Sequence, residues 1–309
     1  MTMIKTYDIS IIGAGPAGLS AGIYSSRAGL KTAVFEKGAP GGQISWTSSV
    51  ENYPGFPQGI LGPDLSEKFR AQAGRFGCEF INNEILSIQK TPDASFLIKG
   101  SSVQCISKTV IIAAGSIPNK LGIPGESEFL GKGVSTCGTC DGPLFRKKNV
   151  FAIGGGDAAI DESLFISKFA SAVTIIHRRD KLRASAYLEE KAKNNSKISF
   201  LWNTIPLEIK GGSRVEGITV KNKVTGTISE HKTNGVFIFI GQRPNTHFVK
   251  DLVKTDDEGY IVVNLQMETS VPGMFACGDI REKSYKQVAI STGDGATAAL
   301  SAQKYIEKK

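Results

Sequence analysis

Gly13-Ala14-Gly15-Pro16-Ala17-Gly18 is the stretch that decides the fold. It follows the β-branched, apolar run Tyr7 to Ile12 and precedes the small-residue segment Leu19 to Ala28, so the glycines stand between an expected strand and an expected helix. A lone G-x-G-x-x-G is weak; in that context it reads as a dinucleotide cradle. Gly13 permits the tight turn, Gly15 lets a pyrophosphate approach the backbone, and Gly18 lets the helix close on the sheet, with the helix N-terminus facing the phosphates. The next strand, Thr32 to Glu36, ends in an acid 23 residues beyond Gly13, where a carboxylate accepts hydrogen bonds from ribose hydroxyls. That favours a cofactor without a 2′-phosphate.

The same order recurs. Val150 to Ile153 reads as a strand, Gly154 to Ala158 as a turn, Ala159 to Phe169 as a helix and Val173 to His177 as a strand. Gly154-Gly155-Gly156-Asp157-Ala158-Ala159 repeats the cradle with alanine in the last place. Here the position 23 residues on is His177, followed by Arg178, Arg179 and Arg183. Cations in place of the acid suit a ribose 2′-phosphate, because guanidinium forks match phosphate geometry. The second unit is therefore expected to take NADPH in preference to NADH.

Two such units need two cores, and 309 residues with 40% hydrophobic content are enough for both. The expected fold is α/β, with two Rossmann-like three-layer domains. Met274 to Cys277 reads as a further strand ended by Gly278-Asp279, and Gln287 to Gln303 as a long small-residue helix that returns to the first domain. The second unit is then an insertion: residues 1–117 and 247–309 form the first domain, residues 118–246 the second, with proline-marked joints at Ile117 to Leu121 and Arg243 to Phe248.

The formal charge of +8 is spread along the chain without an aromatic-interleaved basic stripe, which argues against nucleic-acid binding. Residues 1–10 are polar overall and run straight into the first strand without the apolar stretch of a secretory signal, and no run of 18 apolar residues suggests a membrane span. A soluble cytoplasmic protein is expected, and in that reducing setting the five cysteines are catalytic or buried.

Cys137-Gly138-Thr139-Cys140 places two thiols within reach of each other, and such pairs show depressed thiol pKa values and labile disulfides. Asp141 follows at once, a candidate acid or base for thiol exchange. A zinc site needs four ligands, and the chain has no second C-x-x-C and only three histidines, so no metal is expected. Cys78, Cys105 and Cys277 read as small buried residues.

The combination resembles the low-molecular-weight thioredoxin reductase family over essentially the whole chain. Gly41-Gly42-Gln43, Glu51-Asn52-Tyr53-Pro54-Gly55, Ala113-Ala114-Gly115, Gly241-Gln242-Arg243-Pro244-Asn245-Thr246, Gly278-Asp279 and Lys286-Gln287-Val288-Ala289 all fit its pattern. The resemblance implies FAD held by Gly13, Gly15, Pro16, Ala17, Gly18, Glu36, Lys37, Gly42, Gln43, Asn52, Ala114, Gly115, Gly278, Asp279, Lys286, Gln287 and Val288. It implies NADPH at Gly154, Gly156, Asp157, Ala158, His177, Arg178, Arg179 and Arg183. In the implied reaction NADPH reduces FAD, FAD reduces the Cys137–Cys140 disulfide at Cys140, and Cys137 attacks the disulfide of thioredoxin or a similar small dithiol protein, with Asp141 as proton donor. A homodimer and a domain rotation that alternates the two half-reactions are also implied. The rival readings are a reductase of another redoxin, glutaredoxin-like or a peroxiredoxin partner, and a flavin electron carrier without disulfide turnover. Gly138 and Asp157 depart from the pattern, which more often has alanine or valine between the cysteines and asparagine or serine after the third glycine.

Overall fold

The structure, a computed structural model, describes residues 4–46 and 50–308. Residues 1–3 of the polar start lie outside them. The chain forms two compact units, one reaching to Ile117 and resuming at Arg243, the other Pro118–Gln242.

Among the described residues, the first unit holds a seven-stranded sheet in the order β3 (Glu79–Asn82), β2 (Thr32–Glu36), β1 (Lys5–Ile12), β6 (Gln104–Ile112), β5 (Phe96–Gly100), β4 (Ile85–Lys90). A seventh strand, β17 (Met274–Ala276), pairs with β6. The pairs β1–β2, β1–β6, β2–β3 and β6–β17 are parallel. Their register sets Ile12 against both Phe35 and Ile112, and Ile112 against Ala276, so the strands end together. The turns that follow them therefore share one edge, where ligands of open α/β sheets bind. Both faces are apolar, as a covered parallel sheet requires: Ile9, Ile11, Val34, Ile111 and Phe275 pack on one side, Ile12, Phe35, Val110, Ile112 and Met274 on the other.

Helix α1 (Pro16–Arg27) covers the first face with α2 (Gly62–Arg75) and α6 (Val288–Glu307). The helices α1 and α6 approach closely because their contact is built from small residues. A Cβ on Gly295 would lie 2.1 Å from the Ala17 carbonyl oxygen. Helix α1 starts at Pro16, earlier than the expected Leu19, because proline at the first helical position costs no hydrogen bond.

The second unit has a parallel sheet in the order β11 (Ile198–Leu201), β10 (Ala172–Ile176), β9 (Asn149–Ile153), β15 (Gly235–Ile238), β8 (Val134–Ser135). Helices α4 (Asp157–Ser167) and α5 (Ala186–Lys193) pack on it, and the one-turn helix α3 (Gly138–Asp141) packs on α4. An antiparallel sheet, β12 (Thr204–Gly211), β13 (Val215–Asn222) and β14 (Ile228–Lys232), completes it.

The chain crosses between units on β7 (Ser116–Pro118) and β16 (Gln242–Pro244), which pair with each other. The second crossing falls four residues earlier than the boundary expected before residue 247. The reason is local: Asn245 donates its amide to the Ala114 carbonyl at 2.8 Å and its backbone N–H to Gly115, and the Thr246 hydroxyl donates to Gly259. Those bonds tie residues 245 and 246 to the first unit.

Candidate functional site: two glycine cradles and a redox turn

In the first unit the backbone leaves β1 at Gly13, whose φ of +106° is a left-handed value that suits glycine. A Cβ there would meet the Ala113 carbonyl oxygen at 2.4 Å, and one on Gly18 would meet the Gly13 carbonyl oxygen at 1.8 Å. The turn is thus pressed between strand end and helix, leaving no room for a side chain at Gly13 or Gly18. Gly42 approaches Gly15 with equal economy, a Cβ on Gly42 lying 3.1 Å from the Gly15 Cα. Ala17 is buried and packs on Gly278.

Glu36 reaches back from the end of β2. One carboxylate oxygen accepts the Ala14 N–H at 2.8 Å, the other the Lys37 N–H at 2.9 Å. The acid expected at the ribose corner therefore also fixes the cradle. It lines, with Gly13, Lys37, Asn83, Ala114, Asn245 and His247, a cavity of about 100 Å³. Asn83 and His247 carry no motif that marks them; they enter because β3 and the segment after β16 end beside β2 and β6. The Lys37 ammonium turns to Glu84 at 3.5 Å.

On the same edge, the Gln43 amide donates to the Ser116 carbonyl at 2.7 Å, beside Gly115 with its φ of +65°. Gly278 follows β17, and burial holds the Asp279 carboxyl above the usual carboxylate range although the Ser291 and Ser284 hydroxyls donate to it. Asn52 donates to the Gln287 side chain at 3.0 Å, where Gln287 caps α6 ahead of Val288. Lys286 reaches the Tyr260 hydroxyl at 3.3 Å and lies over its ring. The first-unit residues singled out in the sequence thus converge, apart from the side chains of Lys37 and Lys286, which have protein partners.

In the second unit Gly154 leaves β9 under the Phe239 carbonyl, 2.5 Å from where its Cβ would stand, and Gly156 caps α4. Asp157 is the first residue of that helix, beside Ala158, and accepts the Ser185 N–H at 2.7 Å. This bond accounts for an acid near the cradle. It stabilises the helix start and ties the Ser185 segment down.

His177 is set deeper than the arginines that follow it. It is 5% exposed, its ring lies against Gly155, and its Nε2 is 3.0 Å from the Lys181 carbonyl. Burial lowers its pKa, with Arg179 and Arg183 adding to the shift, so the neutral ring props the turn from beneath. The cations on the outside are Arg178, Arg179 and Arg183, all exposed. The Arg183 N–H donates to the Gly155 carbonyl at 2.7 Å, and its guanidinium lies above Gly156.

Just before this cradle, Cys137 and Cys140 form a disulfide with their Cα atoms 5.4 Å apart. Cys137 caps α3, and its sulfur accepts the Cys140 N–H at 3.1 Å. The Ser135 hydroxyl holds the approach by accepting the Cys137 N–H and donating to the Cys137 carbonyl. Both cysteines are partly exposed, as exchange requires. Burial raises the Asp141 carboxyl, and its Oδ1 is buried with no hydrogen-bond partner among the described residues. A raised acid with one oxygen unpartnered, one residue from a redox cysteine, is suited to carry a proton.

Two features of the turn escape sequence reasoning. Glu162 of α4 accepts the Thr139 N–H at 2.8 Å and the Thr139 hydroxyl at 3.1 Å. A Cβ on residue 138 would fall 2.4 Å from that carboxylate, so Gly138 makes room for it.

The remaining cysteines, Cys78, Cys105 and Cys277, are buried, and desolvation pushes the first two thiols up to about 11. They are inert, as expected. No cluster of metal-ligating residues occurs among the described residues, and no described helix is long and apolar enough to cross a membrane.

Residues 7–295 match the pyridine nucleotide-disulphide oxidoreductase family. The thioredoxin reductase of Bacillus subtilis is 48% identical over 309 residues, covering 100% of this chain and 97% of that protein. That of Listeria monocytogenes is 45% identical over 98% of this chain and 95% of its own. The crystal structure of thioredoxin reductase from Streptococcus pyogenes superposes with a TM-score of 0.95 at 40% identity, covering 99% of this chain and all of the other. With two mononucleotide folds, two glycine cradles and a C-x-x-C disulfide at the door of the second, the chain belongs to the thioredoxin reductases of the pyridine nucleotide-disulphide oxidoreductase family.

Proposed function

We propose that the chain is an NADPH-dependent thioredoxin-disulfide reductase, with FAD in the first unit and NADPH in the inserted second unit. The observation that carries this reading is the Cys137–Cys140 disulfide placed directly before an arginine-flanked dinucleotide cradle.

The first cradle suits FAD. Its turn excludes a Cβ at Gly13 and Gly18, the Glu36 carboxylate stands at the strand end where a ribose would bind while the neighbouring Lys37 ammonium is engaged by Glu84, and Asp279 with its two serine partners suits a hydroxyl-rich chain. In the second cradle the exposed Arg178, Arg179 and Arg183 offer forked donors for a ribose 2′-phosphate, while the N–H groups that open α4, which no side chain caps, would hold a pyrophosphate. Bound FAD supplies the two-electron link between a nicotinamide donor and a disulfide.

The protein's own part begins with the opened dithiol. The Cys140 N–H aimed at the Cys137 sulfur favours a thiolate on Cys137, the nucleophile. That thiolate attacks the partner's disulfide, forms a mixed disulfide and releases one partner thiolate. Cys140 then attacks the Cys137 sulfur, restores the internal disulfide and releases the second. The two protons given up by the dithiol pass to the two partner thiolates, and Asp141, raised and unpartnered at Oδ1, holds one in transit.

A homodimer in a reducing cytoplasm is part of the reading; three buried free cysteines beside one reactive disulfide fit that compartment. The test is NADPH oxidation with and without candidate redoxins, read as new thiols. Thioredoxin should give one dithiol per NADPH; thiols with a glutaredoxin-like protein alone, or NADPH consumption with no thiols, would refute the assignment.

A further inference from the structure

Beside the exchange disulfide lies a second acid that the mechanism above does not use. Glu162 lies on α4, 22 residues beyond Cys140 in the chain, and its carboxylate is drawn into the redox turn through Thr139. On the other side, the Thr139 hydroxyl stands 3.9 Å from the Cys137 sulfur. The atoms thus run in series: Cys137 sulfur, Thr139 hydroxyl, Glu162 carboxyl. Gly138 keeps the line open, since a side chain there would strike Glu162 at 2.4 Å and Ile166 at 3.0 Å.

We propose that Thr139 and Glu162 form a proton relay to the Cys137 sulfur, separate from Asp141, that sets how readily Cys137 becomes a nucleophile. The inference rests on the reading of Cys137 as the exchange thiol. The relay has two balanced settings. With Glu162 ionised, the Thr139 hydroxyl donates to the carboxylate and can take the Cys137 S–H proton as it passes its own on; the thiol becomes a thiolate and Glu162 becomes neutral. In reverse, the neutral carboxyl donates to Thr139, which donates to the sulfur and reprotonates it. No electron moves in either direction, and no co-reactant is needed. Throughout, the Thr139 N–H remains bonded to the second carboxyl oxygen, which holds the acid in register.

The surroundings favour a transferable proton. Burial raises the Glu162 carboxyl, and of its charged neighbours Asp161 adds to the rise. The redox turn packed on α4 contributes Asp141, and α5 contributes Glu189, Glu190, Lys191 and Lys193; α4 itself carries Asp157 and Asp161. None of these is a cation bonded to Glu162. A carboxyl held above its ordinary value lies closer to a thiol in proton affinity, which is the condition for fast transfer between them. Glu162 acts through Thr139 and is in that sense a positioning residue; Thr139 touches the sulfur itself.

The test uses the full protein reduced by dithiothreitol and freed of it, so that neither nicotinamide, flavin chemistry nor a protein partner enters. Alkylation of Cys137 by iodoacetamide is followed by mass spectrometry across pH 4 to 10 in the wild type and in Glu162→Gln, Thr139→Val and Thr139→Ser. Glutamine keeps an acceptor for the Thr139 N–H, valine keeps the shape of threonine, and serine keeps the hydroxyl. Glu162→Gln and Thr139→Val should each slow Cys137 alkylation near pH 7 by about tenfold and remove the acidic inflection of the profile, while Thr139→Ser keeps both. Wild-type profiles in the first two, within about twofold, would overturn the relay. Equal losses in all three variants would also overturn it, since they would show a packing role. If the alkylation results hold but thioredoxin is not reduced, the assignment of function fails and the relay stands.

Discussion

Replacing Gly18 by alanine tests whether the first cradle works by close approach of backbone to backbone. The added methyl would lie 1.8 Å from the Gly13 carbonyl oxygen, 3.0 Å from its carbon and 3.3 Å from the Ala113 side chain. Carbon and oxygen settle at about 3.3 Å, so α1 must withdraw by roughly 1.5 Å or the Gly13 turn must deform. Neither partner is the loose end of a side chain. Overpacking of this kind costs about 1–3 kcal/mol, and the better helix propensity of alanine offsets about 1 kcal/mol at most. A backbone clash belongs at the upper end, which leaves a net loss of about 2 kcal/mol. For a unit of this size that is about 4–8 °C in melting temperature. The displaced turn also releases flavin, so visible absorbance per protein should fall and added FAD should raise the melting point less than in the wild type. Melting measured with and without FAD, alongside absorbance, gives both readings. A variant that melts within about 1 °C of the wild type and keeps its flavin would refute the account.

Gly293 is the control: it lies exposed within α6, no atom stands within 4 Å of where its Cβ would be, and alanine there should stabilise by about 0.5–1 kcal/mol in the same melts. Arg178→Ala with Arg179→Ala should raise KM for NADPH at least about tenfold with little change for NADH, measured by steady-state oxidation; equal losses would remove the 2′-phosphate assignment. Asp279 gives a pH signature. Burial raises its folded value above the unfolded one, so the folded chain holds the proton more tightly, and the stability from this group is fully present below the unfolded value and lost as pH rises from there through the folded one. The melting point of flavin-free Asp279→Asn, followed from pH 4 to 8, should fall less than that of the wild type; parallel curves would contradict the assignment.

Much of this architecture is legible from spacing alone. Both cradles, the acid at residue 36, the arginines after β10 and the dithiol are local signals, and each is found where its neighbours in sequence put it. What stays hidden depends on contacts across the fold. The offset of His177 marks it for a phosphate ligand, and nothing local shows that its ring is buried against Gly155 and bonded to the Lys181 carbonyl. Glu162 is 23 residues from Thr139, and no periodicity relates them; packing of α3 on α4 brings them together. Gly138, which departs from the family pattern, makes sense only once that carboxylate is seen beside it. The second crossing is displaced because Asn245 and Thr246 bond into the first unit, a preference that Pro244 does not reveal.

The central claim is that electrons leave the enzyme through the Cys137–Cys140 pair. It is tested most directly by thiol release from oxidised thioredoxin in the presence of NADPH, comparing the wild type with Cys140→Ser under anaerobic conditions. The account predicts that Cys140→Ser still reduces its flavin, seen as bleaching of visible absorbance, while generating no new thioredoxin thiols above the enzyme-free rate. Sustained thioredoxin reduction by Cys140→Ser would contradict it.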